Sequence, residues 1–536
     1  MKNRILTLCL AFLLVSCNDR VNQSTSNRSD TASGSVNSTT STSTDSSSSS
    51  DTGKESQMGS TTSDAEPEFD TFYTINDVHG SLSEKAINGE AGLAKLDYFV
   101  RNDVDYDKGS FMVMGGDIYQ GSYQAYHNMD LVNQALGKMK VKATAVGNHE
   151  FDWSADTLKN LNATSPFPIL GANVVNSKDD WKQVSFLDCS TIVRTETGAS
   201  FGIVGVIGPG EESSVKQSLI KGDGFEYRFS NEAKYIKAEL DKMKDCDYRI
   251  LLAHDSLDDS NHYLNTVVST LVDDGYTLSA VVGGHTHRFE SDSVCGIPYV
   301  QAGSNTRGYG KFKFRRKDRK CVYSGYRRFN TAEINALSQD KLNQELYSMI
   351  HEDSYYIDGN RSLGKTLVGT LEKNNHLRKF LPVSMIDVAK RNNRKNTNPI
   401  IAVYNTGGIR DSIPGGELTK SSLFKTSPFI NSVRIQRNVL GSTIGGLISL
   451  SESTTTPNYT GYYAYAIEDG KKFSQSGKYD VLTIDFVYEK SYFRKKLKGT
   501  WETIGKNGED LIMPEVIIDY IDNYPSDRIN ASDFSC

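Results

Sequence analysis

Residues 144–152 read TAVGNHEFD. A short run of strand character meets a glycine, and the glycine leads into an amide, an imidazole and two carboxylates. The same form recurs on either side. Upstream, residues 71–79 read TFYTINDVH and residues 111–117 read FMVMGGD. Downstream, residues 249–255 read RILLAHD and residues 280–287 read AVVGGHTH. Thr71–Ile75, Phe111–Met114, Thr144–Val146, Arg249–Ala253 and Ala280–Val282 are therefore predicted strands, joined by Ile203–Ile207 and Pro298–Gln301. Helix-like stretches separate them. Strands alternating with helices predict an α/β architecture. In such folds the polar residues just past the strand ends line the active site.

Five of the nine histidines fall in these strand-end clusters: His79, His149, His254, His285 and His287. Asp77, Asp117, Asn148 and Asp152 accompany them. Carboxylate and imidazole are ligands for zinc, manganese, iron and similar ions. Asp-x-His and His-x-His on extended backbone send two side chains to one side. One carboxylate can bridge two ions about 3.5–4 Å apart. Neighbouring glycines allow sharp turns and close backbone approach. Each cluster alone is a weak signal. Five in this order, each after an apolar strand, are specific.

The set resembles the calcineurin-like metallophosphoesterase superfamily over about residues 69–310. The resemblance implies a four-layer αββα sandwich with two divalent ions (zinc, manganese, magnesium or similar) at the strand ends. Asp77, His79, Asp117 and His287 would hold one ion. Asp117, Asn148, His254 and His285 would hold the other, with Asp117 bridging. GNHEFD resembles the 5′-nucleotidase and UDP-sugar hydrolase branch, in which the His after the Asn is not a ligand. His149 would stabilise the reacting phosphoryl group or leaving oxygen, and Asp152 would orient it. A carboxylate-held imidazolium puts positive charge where negative charge develops.

A helical connector is predicted over 332–356, with Ile334, Leu337, Leu342, Leu346 and Ile350 near helical spacing. A second α/β domain is expected over 362–536, with strands Ile400–Tyr404 and Asp480–Asp485 and a terminal helix Pro514–Tyr520. Asn405–Arg410, Ile413–Gly416 and Ser427–Asn431 resemble the nucleotidase C-terminal pattern. That resemblance implies a substrate-binding set of Arg378, Asn405, Arg410 and Phe429. Arginine suits phosphate through paired, charge-assisted hydrogen bonds. Two departures stand out. Lys379 follows Arg378 where the branch usually has Glu. Residues 486–493 read FVYEKSYF, with no glycine where the branch has a Gly-Gly-Asp-Gly-aromatic turn. Phe493 is the candidate for the second base-stacking ring, Tyr492 the other choice, on a turn that cannot share the family backbone.

The N-terminus is a different object. Residues 1–17 read MKNRILTLCLAFLLVSC, a basic start followed by an apolar run. This is a secretory signal peptide, too short to span a bilayer as a stable helix. Leu14–Cys17 resembles a bacterial lipobox, which implies cleavage before Cys17 and its acylation. Multiple chains anchor stably where one does not. Residues 18–68 lack aromatics and are rich in Ser and Thr, so they cannot bury enough apolar surface to offset ordering entropy. A tether of about 50 residues reaches roughly 40 Å.

Composition agrees. Hydrophobic residues are 37% of the 536, and 60 basic against 66 acidic side chains give a net charge of −6. The acidic balance argues against a nucleic-acid polymer as partner. The run Lys311–Lys320 holds seven basic residues and is predicted as a solvated hairpin. Cys295 and Cys321 flank two predicted strands, a plausible disulfide in an exported chain.

The domain expectations are thus 1–17 signal, 18–68 tether, 69–330 metallophosphoesterase, 331–361 connector and 362–536 C-terminal domain. The leading function is an exported, lipid-anchored nucleotidase, periplasmic or at the cell surface. One alternative is the same chemistry on UDP-sugars, cyclic nucleotides or dinucleotides. Another is a surface ligand-binding or adhesion lipoprotein without catalysis.

Overall fold

The computed structural model describes residues 68–257, 262–392, 398–449, 462–506 and 508–535. The signal segment, Cys17 and the tether as far as residue 67 lie outside them. Pro67 onward forms one compact unit.

Twelve strands build the two large sheets of its first half. They are β1 (Phe69–Ile75), β2 (Phe111–Met114), β3 (Val141–Ala145), β4 (Ile169–Leu170), β5 (Ser190–Arg194) and β6 (Ser200–Ile207), then β7 (Tyr248–His254), β8 (Ala280–Val282), β9 (Phe289–Val294), β10 (Ile297–Ala302), β11 (Gly308–Arg315) and β12 (Lys320–Arg328). One sheet runs β12-β11-β1-β2-β3-β4 and a second runs β9-β10-β8-β7-β6-β5. Within the first, β1 through β4 are parallel. Within the second, β6, β7, β8 and β10 are parallel.

Side-chain alternation builds the layers. Phe72, Phe111 and Val113 face Ile203, Ile250 and Leu252 in a core between the sheets. Their chain neighbours Tyr73, Met112 and Met114 turn outward onto helices Gly92–Arg101 and Met129–Lys138. Val204, Leu251 and Ala253 turn the other way onto helices Lys234–Asp241 and Tyr263–Asp273. Period-two alternation on both sheets makes the αββα sandwich.

The segment predicted as one helical stretch is three short helices, Thr331–Ala336, Gln344–His351 and Ser354–Gly359. Asn330, Asn343 and Asp353 each cap a new N-terminus. Such side chains compete for backbone N–H groups and divide a helix that apolar spacing alone would continue. Ile334, Leu337, Leu342, Leu346 and Ile350 all join the core beneath the first sheet.

Residues 367–534 form a separate hydrophobic core. Its sheet comprises β13 (Ile400–Asn405), β14 (Val433–Leu440), β15 (Tyr463–Ile467), β16 (Lys478–Ile484) and β17 (Trp501–Thr503), in the order β15-β13-β16-β14-β17. Helices His376–Asn392 and Met513–Asp522 pack on it. Among the described residues no helix is long and apolar enough to cross a membrane.

Two surface expectations resolve here. The basic run is the β11–β12 hairpin. Five of its seven basic side chains pair with Asp70, Asp103, Asp105, Asp247 or Asp318. The suggested disulfide is corrected: Cys295 and Cys321 are both free thiols. Cys295 sits in the exposed β9–β10 turn of the second sheet, whereas Cys321 is on β12 of the first and packs against the core between them.

Candidate active site

The C-terminal ends of five parallel strands converge. β1 delivers Asp77 and His79, β2 Asp117, β3 Asn148 and His149, β7 ends in His254, and β8 delivers His285 and His287. The backbone there is unusual. Asp77, His79, Asp117, His285 and His287 all have φ between 48° and 71°. Non-glycine residues rarely adopt that region, and each costs about 1–3 kcal/mol unless its surroundings enforce it. The glycines explain how the loops fit. A Cβ on Gly147 would overlap the Asp117 carboxylate, and one on Gly284 would overlap the Gly115 carbonyl.

The donor atoms face one another with their protons turned away. His254 Nδ1 lies 2.7 Å from the Gly115 carbonyl, which can only accept. Its Nε2 therefore faces Asn148 Oδ1 at 3.1 Å and Asp117 Oδ2 at 3.3 Å. His285 Nδ1 is 3.3 Å from the same Asn148 oxygen. His79 Nδ1 lies 2.9 Å from the Gln120 carbonyl, so its Nε2 lone pair points inward. That nitrogen is 2.9 Å from His287 Nε2 and 3.9 Å from both Asp77 Oδ1 and Asp117 Oδ2. His287 Nε2 is 3.4 Å from Asp77 Oδ1. Lone pairs packed on lone pairs call for cations, and these residues fit two. Asp77, His79 and His287 are close enough to share one ion, as are Asp77, Asp117 and His254.

Protonation fits the same reading at His79 and His285, whereas at His254 burial is outweighed by the Asp117 carboxylate, which raises it well above the usual imidazole range. Burial and His287 push His79 down to about 3, and burial and His254 push His285 down to about 4. Both are neutral at pH 7, the form that ligates. Burial alone would raise the Asp117 carboxyl, but His254 and His149 hold it well below the usual carboxylate range.

His149 stands beside this cluster. Its backbone N–H donates to Asp117 Oδ1 at 3.0 Å. Its Nδ1 lies 2.7 Å from Asp152 Oδ2. Burial works against a charge on His149, and the Asp152 and Asp117 carboxylates more than offset it, raising its pKa. Arg410, from the second half of the chain, places Nη2 3.2 Å from His149 Nε2. The Phe429 ring lies 5.6 Å from the His149 ring, and the Arg410 guanidinium 5.0 Å from the Phe429 centroid. His149, Asp152, Arg410 and Phe429 thus form one contiguous group.

The other predicted substrate residues are placed differently. Asn405 ends β13, and its buried side-chain oxygen has no hydrogen-bond partner. Arg378 is in the first turn of helix His376–Asn392, with Nη2 3.5 Å from Asn374. Phe493 requires correction. The glycine-free segment forms helices Asp485–Tyr488 and Ser491–Lys496, and the second turns Phe493 fully into the core against Tyr463. A ring with no exposed face cannot stack on a ligand. Tyr492, one residue earlier, is 41% exposed.

Three supporting residues were missed. Glu150, inside the opening motif, is buried and accepts N–H groups from Asp117, Ile118 and Gly147 at 2.7–3.0 Å, clasping two ligand loops. Its position three residues after a turn glycine is the available sequence signal. Asn76 donates to Asp77 Oδ2 at 2.6 Å. Gln120 meets His79 through both its carbonyl and its side chain and donates to the Pro428 carbonyl. No sequence signal marks Gln120, because the Pro428 contact is 308 residues distant.

The calcineurin-like phosphoesterase family profile matches residues 71–289, the span that carries every one of these strand-end residues. Residues 71–289 are a calcineurin-like phosphoesterase domain. The phosphoesterase domain makes the chain a metal-dependent phosphoester hydrolase. Similarity extends past that domain. The 5′-nucleotidase of Vibrio cholerae is 24% identical over 419 residues, covering 68% of this chain and 72% of that protein. Protein UshA of Escherichia coli is 25% identical over 407 residues, with coverage of 68% and 72%. The solved 5′-nucleotidase precursor of Thermus thermophilus shares the fold with a TM-score of 0.62 at 17% identity, over 86% of this chain and 99% of that one.

Proposed function

We propose that this chain hydrolyses phosphate esters of nucleotides at a two-metal centre. The observation that carries the proposal is the inward-facing donor set, abutted directly by the His149–Arg410 contact between the two halves of the chain. Asp77, His79, Asp117 and His287 would hold one ion, and Asp117, Asn148, His254 and His285 the other. When bound, two divalent ions polarise the phosphoryl group and lower the pKa of the attacking water.

The chain's own residues supply the rest. Asp152 accepts the Nδ1 proton of His149 and so aims Nε2 at the reacting phosphate. There His149 stabilises charge developing on the phosphoryl or leaving oxygen. Arg410 occupies that same nitrogen in the absence of substrate, and a phosphate entering between them would receive both groups. Phe429 offers a ring face for the organic part of the substrate, with Asn405 and Arg378 on the same half of the chain. Residues 69–330 and 362–536 act as two domains, with 331–361 as the hinge candidate. The sequence features of residues 1–68 support export and lipid anchoring at Cys17, periplasmic or at the cell surface.

A second reading keeps the centre and changes the substrate to a UDP-sugar, cyclic nucleotide or dinucleotide. The helical segment 485–496 favours it, since it buries Phe493. Phosphate release from AMP, UMP, UDP-glucose and cyclic nucleotides, each with manganese, zinc or magnesium, separates the two. A clear preference for nucleoside monophosphates supports the first reading. Equal or better turnover of the others overturns it.

A further inference from the structure

β6 is a parallel strand of the second sheet whose end carries none of the ligands assigned above. Past it, the chain makes a short 3-10 turn, Pro209–Ser213. Two glutamates follow one another there with opposite fates. Glu212 faces outward, paired with Arg228 at 2.7 Å and accepting the Phe229 N–H at 2.8 Å. Glu211 turns inward and is 4% exposed. Its Oε2 lies 3.2 Å from His285 Nε2.

His285 has two ring nitrogens, and a neutral imidazole carries one proton. Nδ1 faces Asn148 Oδ1, the oxygen shared with His254. For Nδ1 to present a lone pair to a cation, the proton must sit on Nε2, 3.2 Å from the Glu211 carboxylate, which a slight turn of the ring would make its acceptor. The outward nitrogens of His79 and His254 face neutral oxygens, those of Gln120 and Gly115. His285 alone of these three faces a buried carboxylate. Such a partner fixes the tautomer and the ring orientation and raises ligand basicity.

We infer that Glu211 is a positioning residue for the second metal site, acting through His285 as the carboxylate of a carboxylate–histidine–metal arrangement. The inference rests on the two-metal reading above. It adds a residue that lies outside all five strand-end motifs. It also gives the second site a negative charge behind His285, where His79 of the first site faces the neutral oxygens of Gln120, and this strengthens the hold of His285 on its ion.

The test is manganese binding by the full chain, with affinities from chelator competition and the exchange-coupled signal of a manganese pair by electron paramagnetic resonance. The variants are Glu211→Ala, Glu211→Gln and, as control, Glu212→Gln. Wild type and the control are expected to bind two ions and show the coupled signal. Glu211→Ala weakens one of the two ions by about 10–100-fold and leaves the other unchanged. Glu211→Gln keeps an acceptor oxygen without the charge and weakens the same ion by more than twofold but less than Ala does. Affinities within twofold of wild type in both variants overturn the inference, as does equal weakening of both ions. If Glu211→Ala does not fold, the twofold criterion on Glu211→Gln decides alone. Wild type that takes up fewer than two ions overturns the two-metal reading instead.

Discussion

The metal-side loops and the substrate-side segments meet at His149, yet they are built on different principles. On the metal side every donor follows directly on a parallel strand, within about five residues of its end. The strand ends are already close, so each loop has only to turn its side chain inward, and five left-handed residues absorb that strain. On the substrate side the groups come from β13, from the loop before β14 and from helices, and their positions depend on how the second core packs. Arg410 and Phe429 reach His149, while Phe493 disappears into that core. A rigid scaffold repeated five times makes its chemistry readable from local sequence. A pocket assembled from distant segments does not.

Mutations can break or sharpen that contrast. The largest effect belongs to Asp117→Ala, which removes the carboxylate common to both proposed sites. Two-ion stabilisation is worth several kcal/mol, so phosphate release should fall by about 10³-fold or more, with bound metal lost by elemental analysis. Retention of both ions would break the metal-side account. Next is Phe493→Ala, expected to cost about 3–5 kcal/mol in chemical denaturation as a cavity mutation. The folded fraction should keep its wild-type KM for nucleotide, and a raised KM would return Phe493 to the substrate site. His149→Ala should lower kcat by about 10²–10³-fold with metal content unchanged. Loss of metal in that variant would make His149 a ligand. The smallest effect is that of Arg410→Ala. Losing a charge-assisted contact of about 1.5–3 kcal/mol lowers kcat/KM by roughly 10–100-fold, with Tm and metal content as in wild type.

The site shows where reading by sequence works and where it stops. His254 and Asp117 could be singled out because an apolar run and a turn signal precede each one. Glu150 sat inside a quoted motif, but its three amide contacts require β2 and β3 to be neighbours. Glu211 carried no signal, since a Glu-Glu pair on a turn looks like solvated surface until β6 is placed beside β7. The connector misled by its spacing. Its five apolar residues do share a buried side, but Asn343 and Asp353 restart the helix twice.

The sequence by itself determined the α/β alternation and the order of the carboxylate, amide and imidazole groups at the strand ends. Strand alternation and strand-end chemistry are local properties, set within a few residues. The tertiary structure alone decided which nitrogen of each histidine faces inward, that Arg410 meets His149, that Phe493 is core, and that Cys295 and Cys321 stay apart. Those outcomes depend on contacts between segments up to hundreds of residues apart. Such contacts are set by the packing of whole sheets and cores, and no short stretch of chain encodes them.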